Sequence, residues 1–274
     1  MGDTPILPRK DRQRGSAPLD TPFSATCYGP SGVAPTDVRE FELYFERLEA
    51  AGLGNIKRPD ILVFRKTDAN FVSDIVEKLG GDKELPFIPE NNKGMRALLS
   101  RTIVGVECEN SLWVAKQMPN YGTPLSPQKR LGGKPGLKKT AVVPTIILKD
   151  EDLASLQSWQ TATGVPIHVW HVFHDIAYGI SLDNALTLLD SSLIKATEQI
   201  FQAPGGATTR KQIYKIYYHY GYKLAETQGE VKLKADSIVD KNGHILPFVR
   251  FEGGELKLSN EALQELQACT ERRR

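Results

Sequence analysis

The chain is short of the features that would settle its class at once, and each shortage excludes something. Only three cysteines, Cys27, Cys108 and Cys269, occur among 274 residues, with no C-x-x-C spacing. An odd, scattered set argues against a disulfide framework or a zinc ribbon and points to a reducing compartment. Charge of one sign is also lacking, since 35 Lys and Arg face 33 Asp and Glu, a formal net charge of +2. No bulk field draws in a polyanion, so any such preference must come from local patches. No stretch approaches the roughly 18 consecutive apolar residues that a membrane helix needs. The opening residues hold no apolar run of the signal-peptide kind. Ile6 stands where N-myristoylation calls for Ser or Thr, and Cys269 lies too far from the last residue for prenylation. Gly132-Gly133-Lys134 lacks both the upstream Gly and the following Ser or Thr of a phosphate-binding P-loop, and no G-x-S-x-G occurs. The expectation is a soluble, cytoplasmic protein with no membrane partner.

What is present is an ordinary globular composition. Hydrophobic residues make up 40% and charged residues 25%, close to the average for packed domains, and the length suffices for a core without disulfides. Residues 1–35 are rich in Pro, Gly and Ser without periodicity and read as a flexible arm. Thr36-Asp37 offers an N-cap for an amphipathic helix carrying Phe41, Leu43, Tyr44, Phe45 and Leu48 and ending at Gly52. A short strand follows, Arg58 to Arg65, entered through Pro59. The stretch 68–102 reads as two helical pieces broken by Gly80-Gly81, Pro86 and Pro89, and strand character returns over Ile103–Glu109. Pro119, Pro124, Pro127 and Pro135 make 117–140 a loop. Strand 141–149, helix 150–163, strand 165–173 and helix 181–190 complete the core. Beyond it the reading gives Tyr-rich helical and strand-like pieces, with Ile213, Ile216 and Tyr217 on one helical face and a hairpin turn at Lys241-Asn242-Gly243. This order predicts an α/β (α+β) domain over 36–274, a central mixed β-sheet flanked by helices, with its core at 36–190 and a C-terminal elaboration at 191–274.

Chemistry concentrates on Glu107 and Glu109. On a strand, positions i and i+2 share a face, so the two carboxylates point one way and Cys108 the other. Adjacent like charges repel, and flanking Ile103, Val104, Val106 and Cys108 mark a buried strand. A divalent cation is the natural neutraliser, and carboxylate oxygens suit Mg²⁺. Asp60, heading another apolar strand, can converge with them if the two strands pair. Glu90, after Pro89, is the alternative first acid, although it opens a helical pattern.

Pro59-Asp60 followed by Glu107-Cys108-Glu109 resembles the active site of the PD-(D/E)XK nuclease superfamily, in particular the type II restriction endonucleases, in an E-x-E variant with Glu109 in the usual lysine position. The resemblance spans about residues 36–190. It implies a restriction-endonuclease-like core with Asp60, Glu107 and Glu109 as catalytic and metal-binding residues, and one or two Mg²⁺ per site. It also implies double-stranded DNA as substrate and a homodimer matched to palindromic sites. The long gap between Asp60 and Glu107 makes the helices at 68–102 an insertion.

Basic patches add a second line of reasoning. From Lys116 to Lys139 the chain carries Lys116, Lys129, Arg130, Lys134, Lys138 and Lys139 and no acid. From Ala203 to Lys223 it carries Arg210, Lys211, Lys215 and Lys223 among five tyrosines, again with no acid. Such segments can meet phosphates, and Arg210 or Lys211 beside Gly205-Gly206 could read base edges. Lys116 is a distant candidate for a substitute cation at the scissile phosphate. His168, His171 and His174 are spaced by three on a strand, so His171 faces away from the other two and no compact metal cluster forms. Two alternatives stay open, a structure-specific repair nuclease on the same core and a non-catalytic DNA-binding module.

Overall fold

A computed structural model of the protein describes residues 21–29, 38–54, 57–202, 208–239 and 245–273. The organising element is β3 (Thr102–Asn110), buried along nearly its whole length. A run of Ile, Val and Cys with little polar relief can sit only where both faces are covered, and β3 occupies the middle of a seven-stranded sheet. To one side lie β2 (Ile61–Arg65) and, at the edge, β1 (Phe23–Cys27), both antiparallel to their neighbours. To the other side β7 (Ile167–Val172) runs parallel to β3, with Glu107 opposite Val169 and Glu109 opposite His171. Beyond β7 come β8 (Ile176–Ser181), β11 (Tyr222–Gln228) and β14 (Glu255–Leu258), all antiparallel. Among the described residues the β3–β7 pair is the one parallel ladder, and it makes the sheet mixed.

The helices follow from side-chain alternation on these strands. Leu62 and Phe64 of β2 face a core shared with α2 (Ala69–Lys78) and α3 (Lys93–Arg101), whose Val72, Ile75, Met95 and Leu98 lie on helical stripes. Leu156 and Trp159 of α4 (Asp150–Thr163) join the same core. Val63, Val104, Val106 and Cys108 face the other way and pack on Leu266 of the C-terminal helix, Asn260–Arg272. The breaks expected at Gly80-Gly81 and Pro86 are present: a turn closes α2 and a single 3₁₀ turn, Leu85–Phe87, precedes α3. The helix expected after residue 36 is α1 (Val38–Ala50), and its proposed cap, Thr36-Asp37, falls outside the described residues. Helix 181–190 forms as Leu182–Asp190, capped by the Ser181 hydroxyl accepting from the Asn184 amide. No helix among the described residues is long and apolar enough to cross a membrane.

A second, three-stranded sheet lies against this core. Its order is β6 (Thr145–Lys149), then β10 (Thr208–Tyr217), then β9 (Ala196–Gln202). Ile146, Leu148 and Ile216 enter the main core, and the Ile147 amide donates to Nδ1 of His171 on β7 at 3.3 Å. The loop 117–140 is irregular apart from 3₁₀ turns and a two-residue ladder of β4 (Ser126–Pro127) with β5 (Pro135–Gly136). Strands β12 (Lys232–Val239) and β13 (Ile245–Glu252) pair antiparallel, and the turn expected at Lys241-Asn242-Gly243 lies outside the described residues.

Three expectations need correction. Residues 23–27 of the supposed arm form β1, because Phe23-Ser-Ala-Thr-Cys can lend its backbone to the open edge of β2. The segment around Ile213 and Ile216 is not a helix but strand β10. Both isoleucines are buried although they lie on opposite faces of the strand, Ile216 in the main core and Ile213 at the cavity wall, and their three-residue spacing mimics a helical stripe. Strand β8 is an element the expected order lacks, because only residues 173–175 separate it from β7, with the Phe173 amide donating to the Ile176 carbonyl across the turn.

Candidate metal centre

Asp60 is fixed by the strand it precedes. Its amide donates to the Val106 carbonyl at 2.8 Å, and its own carbonyl accepts from Tyr28 and Gly29. Where β2 stops, its side chain takes over the ladder, with Oδ2 accepting the Cys108 amide at 2.9 Å. That bond places a carboxylate beside Glu107 and Glu109 and leaves Oδ1 buried without a hydrogen-bond partner. Gly105, two residues before Glu107 on the same face, has a packing reason for lacking a side chain. A Cβ there would come within 2.9 Å of Pro59 and 3.2 Å of Trp159.

Glu107 and Glu109 do share a face, while Cys108 packs on the opposite one. They are 3% and 6% exposed. Asp152, in the first turn of α4, completes the group, and one oxygen from each of Glu107, Glu109 and Asp152 lies within 4.8 Å of the others. Two lysines are drawn in: Lys57 Nζ sits 2.5 Å from Glu107 and 3.7 Å from Asp152, and Lys149 Nζ, at the end of β6, sits 2.6 Å from Glu109. Four carboxylates facing two ammonium groups leave two negative charges when all are ionised. Glu107 Oε2 is buried without a hydrogen-bond partner as well.

The electrostatics record this crowding. Burial pushes the Asp60 carboxyl up to about 6, against the pull of Lys57 and the Cys108 amide, and Glu109 adds to the rise. Burial, then the charge of Asp60, drives Glu107 well above the ordinary range despite Lys57. For Lys149 burial favours the neutral amine, but the charge and hydrogen bond of Glu109 prevail and its pKa lies above the usual lysine value. An all-oxygen donor set with surplus negative charge and two orphaned buried carboxylate oxygens fits a hard divalent cation. Glu107, Glu109 and Asp152 would hold such an ion, with Asp60 beside them.

Glu90 belongs elsewhere. It accepts from Nη2 of the buried Arg58 at 2.8 Å, its other oxygen lies 2.6 Å from the Arg58 Nε in an ion pair, and it accepts from Tyr28 and Trp159. Burial pushes its carboxyl up, but the Arg58 hydrogen bond and charge together with the Tyr28 hydrogen bond hold it below the usual range. His168 and His171 face opposite ways: His168 meets Tyr222 and Cys269, whereas His171 lines a cavity of about 240 Å³ that opens beside Glu109 and Lys149. Asp152, Lys57 and Lys149 escaped sequence reasoning. The string Lys149-Asp150-Glu151-Asp152 reads as a strand end followed by ordinary acidic decoration of a helix N-terminus.

Of the basic residues, Lys129, Arg130, Lys134, Lys138 and Lys139 are exposed. Arg130 donates to the Leu137 carbonyl and Lys134 to the Ser191 carbonyl. Lys116 pairs with Glu226, which also binds Lys223. Arg210 pairs with Glu198 across the β9–β10 ladder and Lys211 with Glu151 of α4. A segment free of acids in sequence is therefore not free of them in space. Lys215 is exposed and lines the cavity beside Glu109. The chain matches no protein-family model, no curated protein and no solved structure.

Proposed function

We propose that the protein is a Mg²⁺-dependent endonuclease that cleaves double-stranded DNA at specific sequences, as type II restriction enzymes do. The observation that carries this reading is the convergence of Asp60, Glu107, Glu109 and Asp152 at the end of the central strand, with two buried carboxylate oxygens lacking partners. When bound, a divalent ion supplies positive charge to the crowded phosphorus and makes water easier to deprotonate. The chain's own part is positional. Glu107, Glu109 and Asp152 would hold the ion, the Cys108 amide keeps Asp60 turned toward them, and Glu109, which reaches the open cavity, would orient the attacking water. The reaction forms a bond from water oxygen to phosphorus and breaks the bond to the 3′ oxygen. A homodimer belongs to the same reading, because a two-fold protein matches a palindromic duplex.

Plasmid DNA incubated with the protein should stay intact in EDTA and be cut to discrete bands when Mg²⁺ is restored. Glu107→Ala should lose at least about 100-fold of the cleavage rate, from some 3 kcal/mol of lost charge stabilisation. It should bind duplex as well as wild type or better, since one negative charge near the phosphates is gone. A smear in place of bands would favour a structure-specific nuclease. Binding without any cleavage would reduce the protein to a DNA-binding module, and full activity in a folded Glu107→Ala protein would remove the metal assignment.

A further inference from the structure

The cavity beside Glu109 has a feature that a metal centre does not require. Its outer wall is apolar and open: Trp113 is 59% exposed and Val142 48% exposed, and Leu112, next to Trp113 in sequence, is 44% exposed. A tryptophan presented to solvent is costly unless something covers it. Nor is Trp113 on a loose segment. Its carbonyl accepts from the His174 amide and its own amide lies 3.4 Å from the Ser111 hydroxyl, so the indole stands at a set place four residues beyond Glu109. The inner wall carries two lysines, Lys149 paired with Glu109 and exposed Lys215 on β10, which forms no ion pair among the described residues. An aromatic plane beside two ammonium groups is complementary to a base carrying a phosphate.

Resting on the nuclease reading, we infer that this cavity takes one nucleotide of the DNA, adjoining the cleaved linkage. Its phosphate lies against Lys149 and Lys215, and its base, drawn out of the duplex stack, lies on Trp113. The cavity sits directly against the acidic cluster, with Glu109 and Lys149 in its lining, so the nucleotide it holds is the one next to the reacting phosphorus. Stacking on an indole accepts any base, so the pocket contributes affinity and strand opening more than sequence choice.

The three tryptophans make the test direct, because Trp159 is buried and Trp170 half-buried, leaving Trp113 as the most accessible to acrylamide. The cleaved site is first mapped by sequencing the ends of plasmid cut by the wild-type protein. A duplex bearing that site, bound in EDTA or Ca²⁺ so that it stays whole, should protect Trp113 from acrylamide. Deoxyadenosine 5′-monophosphate alone should quench its emission, whereas deoxyadenosine without phosphate should bind several-fold more weakly. Lys215→Met should remove that difference in part. Trp113→Ala should weaken binding of the duplex by about 5- to 100-fold, and Trp113→Phe should recover most of it. Melting curves of both variants establish that they fold. Trp113 left fully quenchable on bound DNA, or Trp113→Ala binding like wild type, overturns the inference while leaving the nuclease reading intact. Loss of self-association in Trp113→Ala without loss of DNA affinity also overturns it, making the patch a contact between copies. A wild-type protein that cuts no DNA removes both.

Discussion

Two carboxylates, Asp60 and Glu90, could each have served as the first acid of the site, and their surroundings separate them. Glu90 neutralises Arg58, which is 1% exposed and also donates to the Pro86 and Ile88 carbonyls. Removing its charge strands a buried guanidinium, which costs about 3–5 kcal/mol. Asp60 has the opposite balance. Burial already pushes its carboxyl up to about 6, and an amide in its place could still accept from Cys108. Glu90→Gln should therefore melt well below wild type yet keep most of its cleavage per folded molecule. Asp60→Asn should melt no lower than wild type and be inactive. Thermal melts paired with plasmid cleavage at a temperature where both are folded decide the matter, and the reverse ranking would move the site to Glu90.

At the scale of elements, the basic segments divide by where the fold sends them. Strand β10 lays Arg210 against Glu198 and Lys211 against Glu151, so these cations meet DNA only by giving up a partner. The loop 117–140 carries Lys129, Lys138 and Lys139 exposed and, among the described residues, outside any ion pair. Each lysine that meets a phosphate releases counterions worth about 0.9 in the slope of log K against log salt. Replacing Lys138 and Lys139 together with Gln should flatten that slope by up to about 2 on cognate and scrambled duplexes alike. Replacing Arg210 and Lys211 should flatten it less. Binding titrations at four or five salt concentrations measure both, and an unchanged slope in the Lys138/Lys139 variant returns the loop to plain solvated surface.

At the scale of the whole molecule, the C-terminal helix closes one face of the sheet, and a buried polar cluster lies at that seam. Tyr222 accepts from Trp170 Nε1 at 2.9 Å and meets His168 Nδ1 at 2.8 Å, which a neutral imidazole can accept, while His168 Nε2 lies 3.6 Å from Cys269 of the helix. Burial, with Arg272 adding, lowers the His168 pKa to about 4. The unfolded chain then binds a proton that the native one refuses between about pH 6.5 and 4. Stability is full above that window and falls as pH drops through it, by about 3 kcal/mol from this residue. Buried His171, held down to about 3, acts in the same direction and extends the loss to lower pH. Asp60 and Glu107, whose carboxyls are raised, take up protons in the native state and act in the opposite direction. The histidine effect is therefore read as a difference between variants in urea midpoints at pH 7, 5.5 and 4.5. Between pH 7 and 4.5 the midpoint of His168→Gln should fall less, or rise more, than that of the wild type, and an equal change in the two proteins would place the acid sensitivity elsewhere.

Periodicity alone determined much of the frame. The apolar run Thr102–Asn110 had to be a buried strand, the i, i+2 rule put Glu107 and Glu109 on one face, and glycines and prolines cut 68–102 into two helices. These are local consequences of backbone geometry, legible wherever one period holds for a whole element. The pattern failed where burial was two-sided, as in β10, whose Ile213 and Ile216 imitate a helical stripe. It failed also where an edge strand needs little more than backbone, as in β1. The composition of the site was beyond it. Lys57 arrives with the segment leading into β2, through the antiparallel pairing of β2 on β3. Lys149 at the end of β6 and Asp152 in the first turn of α4 arrive because β6 is laid over β7, itself docked parallel on β3. Charge compensation is likewise a property of space and not of sequence distance, because a Coulomb interaction takes no account of how many residues separate the charges.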